Sequence, residues 1–264
     1  MRIESVWFGS GIYERMARVF LATAHRHCPD WQINLRHVDV QDLDRHPRAL
    51  PSHVANTQKM EEWNDIVQRA PNGSRLLLID ADTFFTRGIT DVWRTRFDIA
   101  YTTKESRFPF NSGVVFVRAN PRVKAFFRAW AEINREMLLD ARSHAPWRRK
   151  YGGINQAAFG RMLKSEAAEA LNIVGLPCQE WNCEDASWAS FDPAVTRIVH
   201  VKSALRRAIF NGCPLSARKW GVRPLVDLWC QIEAEEVACP DGAGRGSEQE
   251  AVPSGAAFFF WSTR

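Results

Sequence analysis

The residues whose types and spacing could do chemistry sit in one short stretch, LLLIDADTFF, residues 76–85. A continuous apolar run ends on Asp80 and Asp82, with a single alanine between them. Side chains two apart on a strand point to one face. A strand running into this pair would therefore aim both carboxylates at one point. Two half-buried carboxylates side by side repel each other and lose hydration unless something cationic joins them. A hard divalent cation fits, because Mg²⁺ and Mn²⁺ take oxygen ligands and share them with substrate phosphates. The same spacing also occurs at helix caps and turns, so the pair alone leaves its chemistry open.

A strand that delivers two carboxylates to one place needs a sheet around it, and the sequence supplies one. Residues 3–8 read as a first strand ending at Gly9. Ile12, Met16, Val19, Phe20 and Thr23 then share a helical face, and Pro29 stops that helix. WQINLRHVDV alternates as a second strand, and VANTQKMEEWNDIVQRA reads as a helix up to the turn PNG. Residues 75–79 form the strand that carries the acidic pair. FDIAYTT and SGVVFVR are two further strands. PRVKAFFRAWAEINREML is an amphipathic helix with Pro121 in its first turn; Val123, Phe126, Phe127, Trp130, Ile133 and Met137 share a face. GGINQAAFGRML opens another helix, TRIVHV is a late strand and VRPLVDLWCQIEAEE a late helix. Strands alternating with helices imply an α/β fold whose mainly parallel sheet is covered on both faces. In open sheets of this kind, ligands bind beyond the carboxyl ends of the strands, which is where Asp80 and Asp82 fall.

The chain has 264 residues, enough for one large α/β domain or two small ones. Its net charge of +5 suits an anionic small ligand, an acidic polymer or a membrane surface; it is too small to argue for nucleic acid, and with no zinc-finger spacing or RNA-binding aromatic signature no nucleic-acid partner is expected. The six cysteines match no zinc spacing and read as reduced, partly buried thiols. MRIESVWFGSG does not read as a secretory signal, and no stretch approaches the roughly 20 apolar residues of a membrane span. The expected setting is the cytoplasm, with contact at the inner face of a membrane as the variant. The globular domain is expected over residues 1–236. A flexible Gly-, Pro- and Ser-rich tail follows over 237–264, ending in AAFFFWSTR, either folded back on a groove or serving as a peripheral anchor.

Four segments in order, LLLIDADTFF, PFNSGVVFVRANP, GGINQAAF and IVHVKS, resemble the metal-dependent nucleotide-sugar glycosyltransferases of the A-type fold. The resemblance spans residues 1 to about 205 and is nearest to the family 8 and glycogenin-like group. It implies a single Rossmann-like nucleotide-diphospho-sugar transferase domain with a mixed, mainly parallel sheet. It implies Mn²⁺ (or Mg²⁺) held by Asp80, Asp82 and His200 and bridging the donor's two phosphates, with Lys202 beside them. It places the nucleotide base against Phe8, Gly9 and Ser10, the donor sugar beside Asn111 and Ser112, and Lys59 near donor and metal. Gln156 would face the sugar carbon. The implied reaction is transfer from a UDP-sugar to an acceptor hydroxyl, with retention of configuration. Asn155 and Ala157 stand where the family usually has acids, so a carboxylate-based mechanism there is in doubt.

Other readings remain open. Glu105 is a candidate base for an inverting reaction. A haloacid-dehalogenase-type phosphatase also runs a strand into Asp-x-Asp, with Thr83 or Thr86 behind and Glu184 with Asp185 as the late acidic pair. A nucleotide-sugar-binding module without turnover is a third. For the acceptor, ARSHAPWRRKYGG gathers Arg142, Arg148, Arg149 and Lys150 around Trp147 and reads as a basic loop over the site, with Trp181 and Asn182 lining the same cleft. None of Tyr13, Tyr101 and Tyr151 is marked as a self-glycosylation site.

Overall fold

The computed structural model describes residues 1–40, 49–211 and 222–238. In chain order the strands are β1 (Arg2–Trp7), β2 (Gln32–His37), β3 (Arg75–Asp80), β4 (Thr83–Phe85), β5 (Ile99–Thr103), β6 (Phe110–Arg118), β7 (Ile173–Pro177) and β8 (Ile198–His200). The helices are α1 (Ile12–His27), α2 (Pro51–Arg69), α3 (Pro121–Leu139), α4 (Ala141–Tyr151), α5 (Ile154–Met162), α6 (Glu166–Glu169), α7 (Cys178–Trp181), α8 (Ser203–Asn211) and α9 (Arg223–Ala238). A six-stranded sheet runs in the order β2-β1-β3-β6-β5-β7, and β4 pairs with β8 in a separate ribbon. Only β6 opposes its neighbours within the six-stranded sheet; all the other pairings there are parallel. This is the expected mixed, mainly parallel α/β architecture.

The continuous apolar run before Asp80 follows from burial on both faces. Leu76 and Leu78 pack with Met60, Trp63, Phe126, Trp130 and Phe159 from α2, α3 and α5. Leu77 and Ile79 pack on the other side with Phe20, Phe85 and Trp181. Asp80 continues the Leu76 and Leu78 face, which carries it toward α2. Helix α3 starts where its sequence says it should: the Asn120 side chain accepts from Val123 N–H at 3.0 Å, and Pro121 occupies the first turn. A third cluster joins Phe84, Val199 and Leu205 to Leu225 and Trp229 of α9, and so fastens the β4–β8 ribbon to the domain.

Several expectations need correction. ARSHAPWRRKYGG is mostly helix α4, not a loop: Asp140 caps it, accepting from Arg142 N–H at 2.9 Å, and its face buries His144 and Tyr151. Ile12 opens α1 but is exposed rather than on its buried face. Strands β4 and β7 and helix α8 were not anticipated. Cys28, Cys178 and Cys183 are buried free thiols, as read, and Cys230 is an exposed one. Burial pushes the thiols of Cys28 and Cys183 up to about 12 and that of Cys178 to about 11, so none is a thiolate at neutral pH. Cys213, Cys239 and the AAFFFWSTR end lie outside the described residues. Among the described residues no helix is long and apolar enough to cross a membrane.

Candidate active site

Asp80 ends β3, Asp82 lies in the turn to β4, and His200 ends β8. The antiparallel ribbon sets Thr83 opposite His200, and Val201 N–H donates to Asp82 O at 2.7 Å, so the turn and the histidine are held together. One ligand atom from each of Asp80, Asp82 and His200 lies within 4.8 Å of the others. His200 Nε2 is 3.1 Å from Asp82 Oδ1 and 3.9 Å from Asp80 Oδ2.

The remaining carboxylate oxygens face cations. Lys59 Nζ, itself buried over the Trp63 ring, is 2.5 Å from Asp80 Oδ1. Arg206 of α8 pairs with Asp82 Oδ2, and also donates to Val201 O at 3.1 Å and Tyr13 Oη at 3.4 Å. Burial pushes the Asp82 carboxyl up, but the charge and hydrogen bond of His200, then Arg206 and Lys59, outweigh it and hold the group well below the usual carboxylate range. Asp82 is therefore ionised at neutral pH.

A chain of hydrogen bonds behind His200 fixes its tautomer. Thr102 Oγ1 donates to Asn111 O at 2.9 Å, so its oxygen is free to accept, and it does so from Asn182 Nδ2 at 3.0 Å. That orientation leaves Asn182 Oδ1 3.1 Å from His200 Nδ1. An amide oxygen only accepts, so Nδ1 keeps a proton, and in the neutral ring it is Nε2, turned toward the carboxylates, that carries the lone pair. Opposite lies Gly113. A Cβ there would stand 2.6 Å from Asp80 Oδ2 and 2.8 Å from His200 Cε1, so the glycine keeps the space beside these donor atoms open. Two inward carboxylate oxygens, one imidazole lone pair and a space kept free of side chain fit a small divalent cation.

The other expected site residues are placed as follows. Asn111 and Ser112 are buried in β6, and Asn111 Oδ1 accepts from Gly113 N–H at 2.7 Å, leaving the amide NH₂ of Asn111 to donate. Phe8, Gly9 and Ser10 follow β1 at its carboxyl end; Gly9 holds a left-handed φ of 82° and its carbonyl lies 3.0 Å from His37 Nε2. Gln156 sits half-buried in the first turn of α5, its Nε2 donating to Tyr151 O at 2.6 Å. Asn155 is absorbed in a buried amide chain: it accepts from Asn134 Nδ2 at 2.5 Å and donates to Asn56 Oδ1 at 3.3 Å. Lys202 pairs with the fully buried Glu184, which Lys104 grips from its other oxygen. With Glu184 taken up by two lysines and Asp185 exposed, the late acidic pair of the phosphatase reading is not assembled. Glu105 is exposed on the loop after β5. Sequence reasoning missed Arg206. Its signal was LRRAIF, whose Leu205 and Ile209 recur at helical spacing and put a helix directly behind His200.

Fold and site together define a class first: an A-type transferase sheet with an acidic pair at the carboxyl end of its third strand. The sequence profile of the nucleotide-diphospho-sugar transferases matches residues 18–201, a span that includes Asp80, Asp82 and His200, and the chain belongs to that family. No curated protein matches by sequence. Among solved structures, the glycosyltransferase GlyE of Streptococcus pneumoniae TIGR4 is similar, with a TM-score of 0.55 and 16% identity over 93% of this chain and 66% of GlyE. Its apo form gives a TM-score of 0.51 and 16% identity over 91% of this chain and 64% of that one. The chain thus spans just under two thirds of the length of these GlyE chains. The galactosyltransferase LgtC, solved with donor and acceptor sugar analogues, aligns at 11% identity and a TM-score of 0.49, over 89% of this chain and 96% of LgtC.

Proposed function

We propose that the protein transfers a sugar from a nucleotide diphosphate sugar, with UDP as the nucleotide, to an acceptor hydroxyl, with retention at the sugar carbon. The observation that carries this reading is the convergence of Asp80 Oδ2, Asp82 Oδ1 and His200 Nε2 beside Gly113, in a chain of this family. These residues would hold a divalent cation, Mn²⁺ in preference because an imidazole joins the oxygens, and when bound it would supply positive charge to the leaving diphosphate.

The chain's own groups do the rest. Lys59 and Arg206 hold the outer carboxylate oxygens and bring two further positive charges to the place where the diphosphate develops negative charge. Phe8, Gly9 and Ser10 receive the base, and the Asn111 amide NH₂ and Ser112 the sugar hydroxyls. Gln156 is anchored through its NH₂ to Tyr151 O, which leaves its amide oxygen to stabilise positive charge at the sugar carbon. The bond from that carbon to the diphosphate breaks, a bond to the acceptor oxygen forms on the same face, and the acceptor proton passes to the departing diphosphate. The transferase domain is assigned to residues 1–236.

Thermal unfolding with UDP or inorganic phosphate, each with and without Mn²⁺, and with Mn²⁺ alone, tests the reading. Ligand at 100 times its dissociation constant adds about 2.7 kcal/mol of stability. Stabilisation that needs UDP and Mn²⁺ together, and disappears in Asp82→Asn, is expected. A response to phosphate or metal alone, with none to the nucleotide, would sink the proposal.

A further inference from the structure

The end of the sheet remote from the active site carries a second feature. A cavity of about 560 Å³ is lined by Arg75, Arg87, Arg94 and Arg197, with Asp91 and Trp93. Arg75 and Asp80 are the two ends of β3, so the cavity lies roughly 16 Å along the strand from the acidic pair at the strand rise of ~3.3 Å per residue. Arg87 follows β4 and Arg197 precedes β8, so the ribbon that holds Asp82 and His200 at one end holds this cavity at the other.

The charges there are not balanced. Arg197 is fully engaged, by Glu180 at 2.8 Å, Asp91 Oδ2 at 2.7 Å and Gly88 O. Arg75, Arg87 and Arg94 have no carboxylate partner among the described residues. Arg75 instead lies over the Trp93 indole, 5.7 Å from guanidinium carbon to ring centroid, and Arg118 shares that ring at 5.2 Å. Burial, and then the charge of Arg75, hold the Arg118 guanidinium below its ordinary value, with Asp98 opposing them in part.

We infer that this cavity binds a phosphate ester. The guanidinium forks suit phosphate oxygens, which they engage in pairs. A soluble polyol phosphate and a phospholipid headgroup share this chemistry. The site is separate from the one proposed for the donor's phosphates, and needs no metal.

The test uses glycerol 1-phosphate in EDTA by calorimetry, and flotation with vesicles of phosphatidylcholine alone or mixed with phosphatidylglycerol. The Arg87→Glu/Arg94→Glu double variant changes two exposed side chains with no described partner, so it should keep the fold, checked by circular dichroism and thermal midpoint. Arg75→Ala, which removes the third unpaired guanidinium, is the second variant. Wild-type binding to glycerol phosphate that falls at least tenfold in both variants supports the site with a soluble ligand. Binding only to phosphatidylglycerol vesicles, lost in both variants, supports it with a lipid headgroup. Absence of binding to either probe, or equal binding by wild type and variants, overturns it.

Discussion

Asn182 decides which nitrogen of His200 faces the two aspartates, and it does so from behind the site without touching anything that reacts. Replacing the acceptor should therefore act on the histidine's tautomer. In Asn182→Leu, ¹⁵N chemical shifts of His200 are expected to show a mixture of tautomers, and Mn²⁺ affinity by electron paramagnetic resonance should fall about 10- to 100-fold, the usual scale for losing such a partner. Asn182→Asp keeps an acceptor for Nδ1–H and should restore the tautomer. A purely structural role would move neither the shifts nor the rescue. At this scale the sequence was readable where side chains stand next to each other in the chain. Asp80 and Asp82 announce themselves because a carboxylate at the end of an apolar run is costly. Arg206 and Asn182 gave no such sign. Each is a common surface residue type whose meaning comes from a partner far away in sequence, Asp82 for one and Thr102 for the other. Lys202 shows the converse: its position suggested a phosphate contact, but the structure gives its ammonium to Glu184, whose burial the sequence did not reveal.

Strand β6 brings the site together by an irregularity. Tyr101 of β5 pairs with Val115, yet Thr102 pairs with Asn111, so residues 112–114 leave the β5 ladder while Val114 stays opposite Ile79 of β3. The displaced backbone brings Gly113 against Asp80 and His200, as bulges beside active sites commonly re-aim a strand. Asn111 Oδ1 caps the displaced segment through Gly113 N–H. Gly113→Ala should therefore push Asp80 and His200 apart. It is expected to lower the urea midpoint and abolish joint stabilisation by UDP and Mn²⁺, whereas alanine at Gly73, whose Cβ would meet nothing within 4 Å, should leave the joint response intact. Equal responses in the two variants would show that the space at Gly113 is not needed. The long elements were legible because burial on one or both faces writes a period into the chain. The short β4 was not: three residues are too brief to carry a pattern, whereas β8, equally short, showed only inside the longer stretch TRIVHV. Helix α4 was hidden because Pro146 and a run of basic residues read as a loop, while its helical face buries only His144 and Tyr151.

On the scale of the whole molecule, the same burial that builds the core also sets how the fold responds to acid. His144 of α4 is 5% exposed, meets His53 of α2 edge-on at 5.2 Å, and its Nε2 is buried without a hydrogen-bond partner. Burial, then the neighbouring charges of His53 and Arg148, pull its pKa down to about 4. Burial likewise lowers His53 and His27. All three are neutral in the fold and bind protons more readily once unfolded, so stability rises with pH across the interval between folded and unfolded values. For His144 the contribution is complete above about 6.5, the ordinary histidine value, and is lost as the pH falls toward about 4. Asp82 has the same sign but a lower window, below the ordinary carboxylate value, because its depressed pKa is matched only when the unfolded chain takes up its proton. Urea unfolding between pH 7.5 and 5 therefore isolates the histidines. The midpoint should fall over this range in wild type and fall less in His144→Leu, which cannot take up the proton. An equal fall in both would mean that the packing of α4 against α2 does not couple folding to acid through His144.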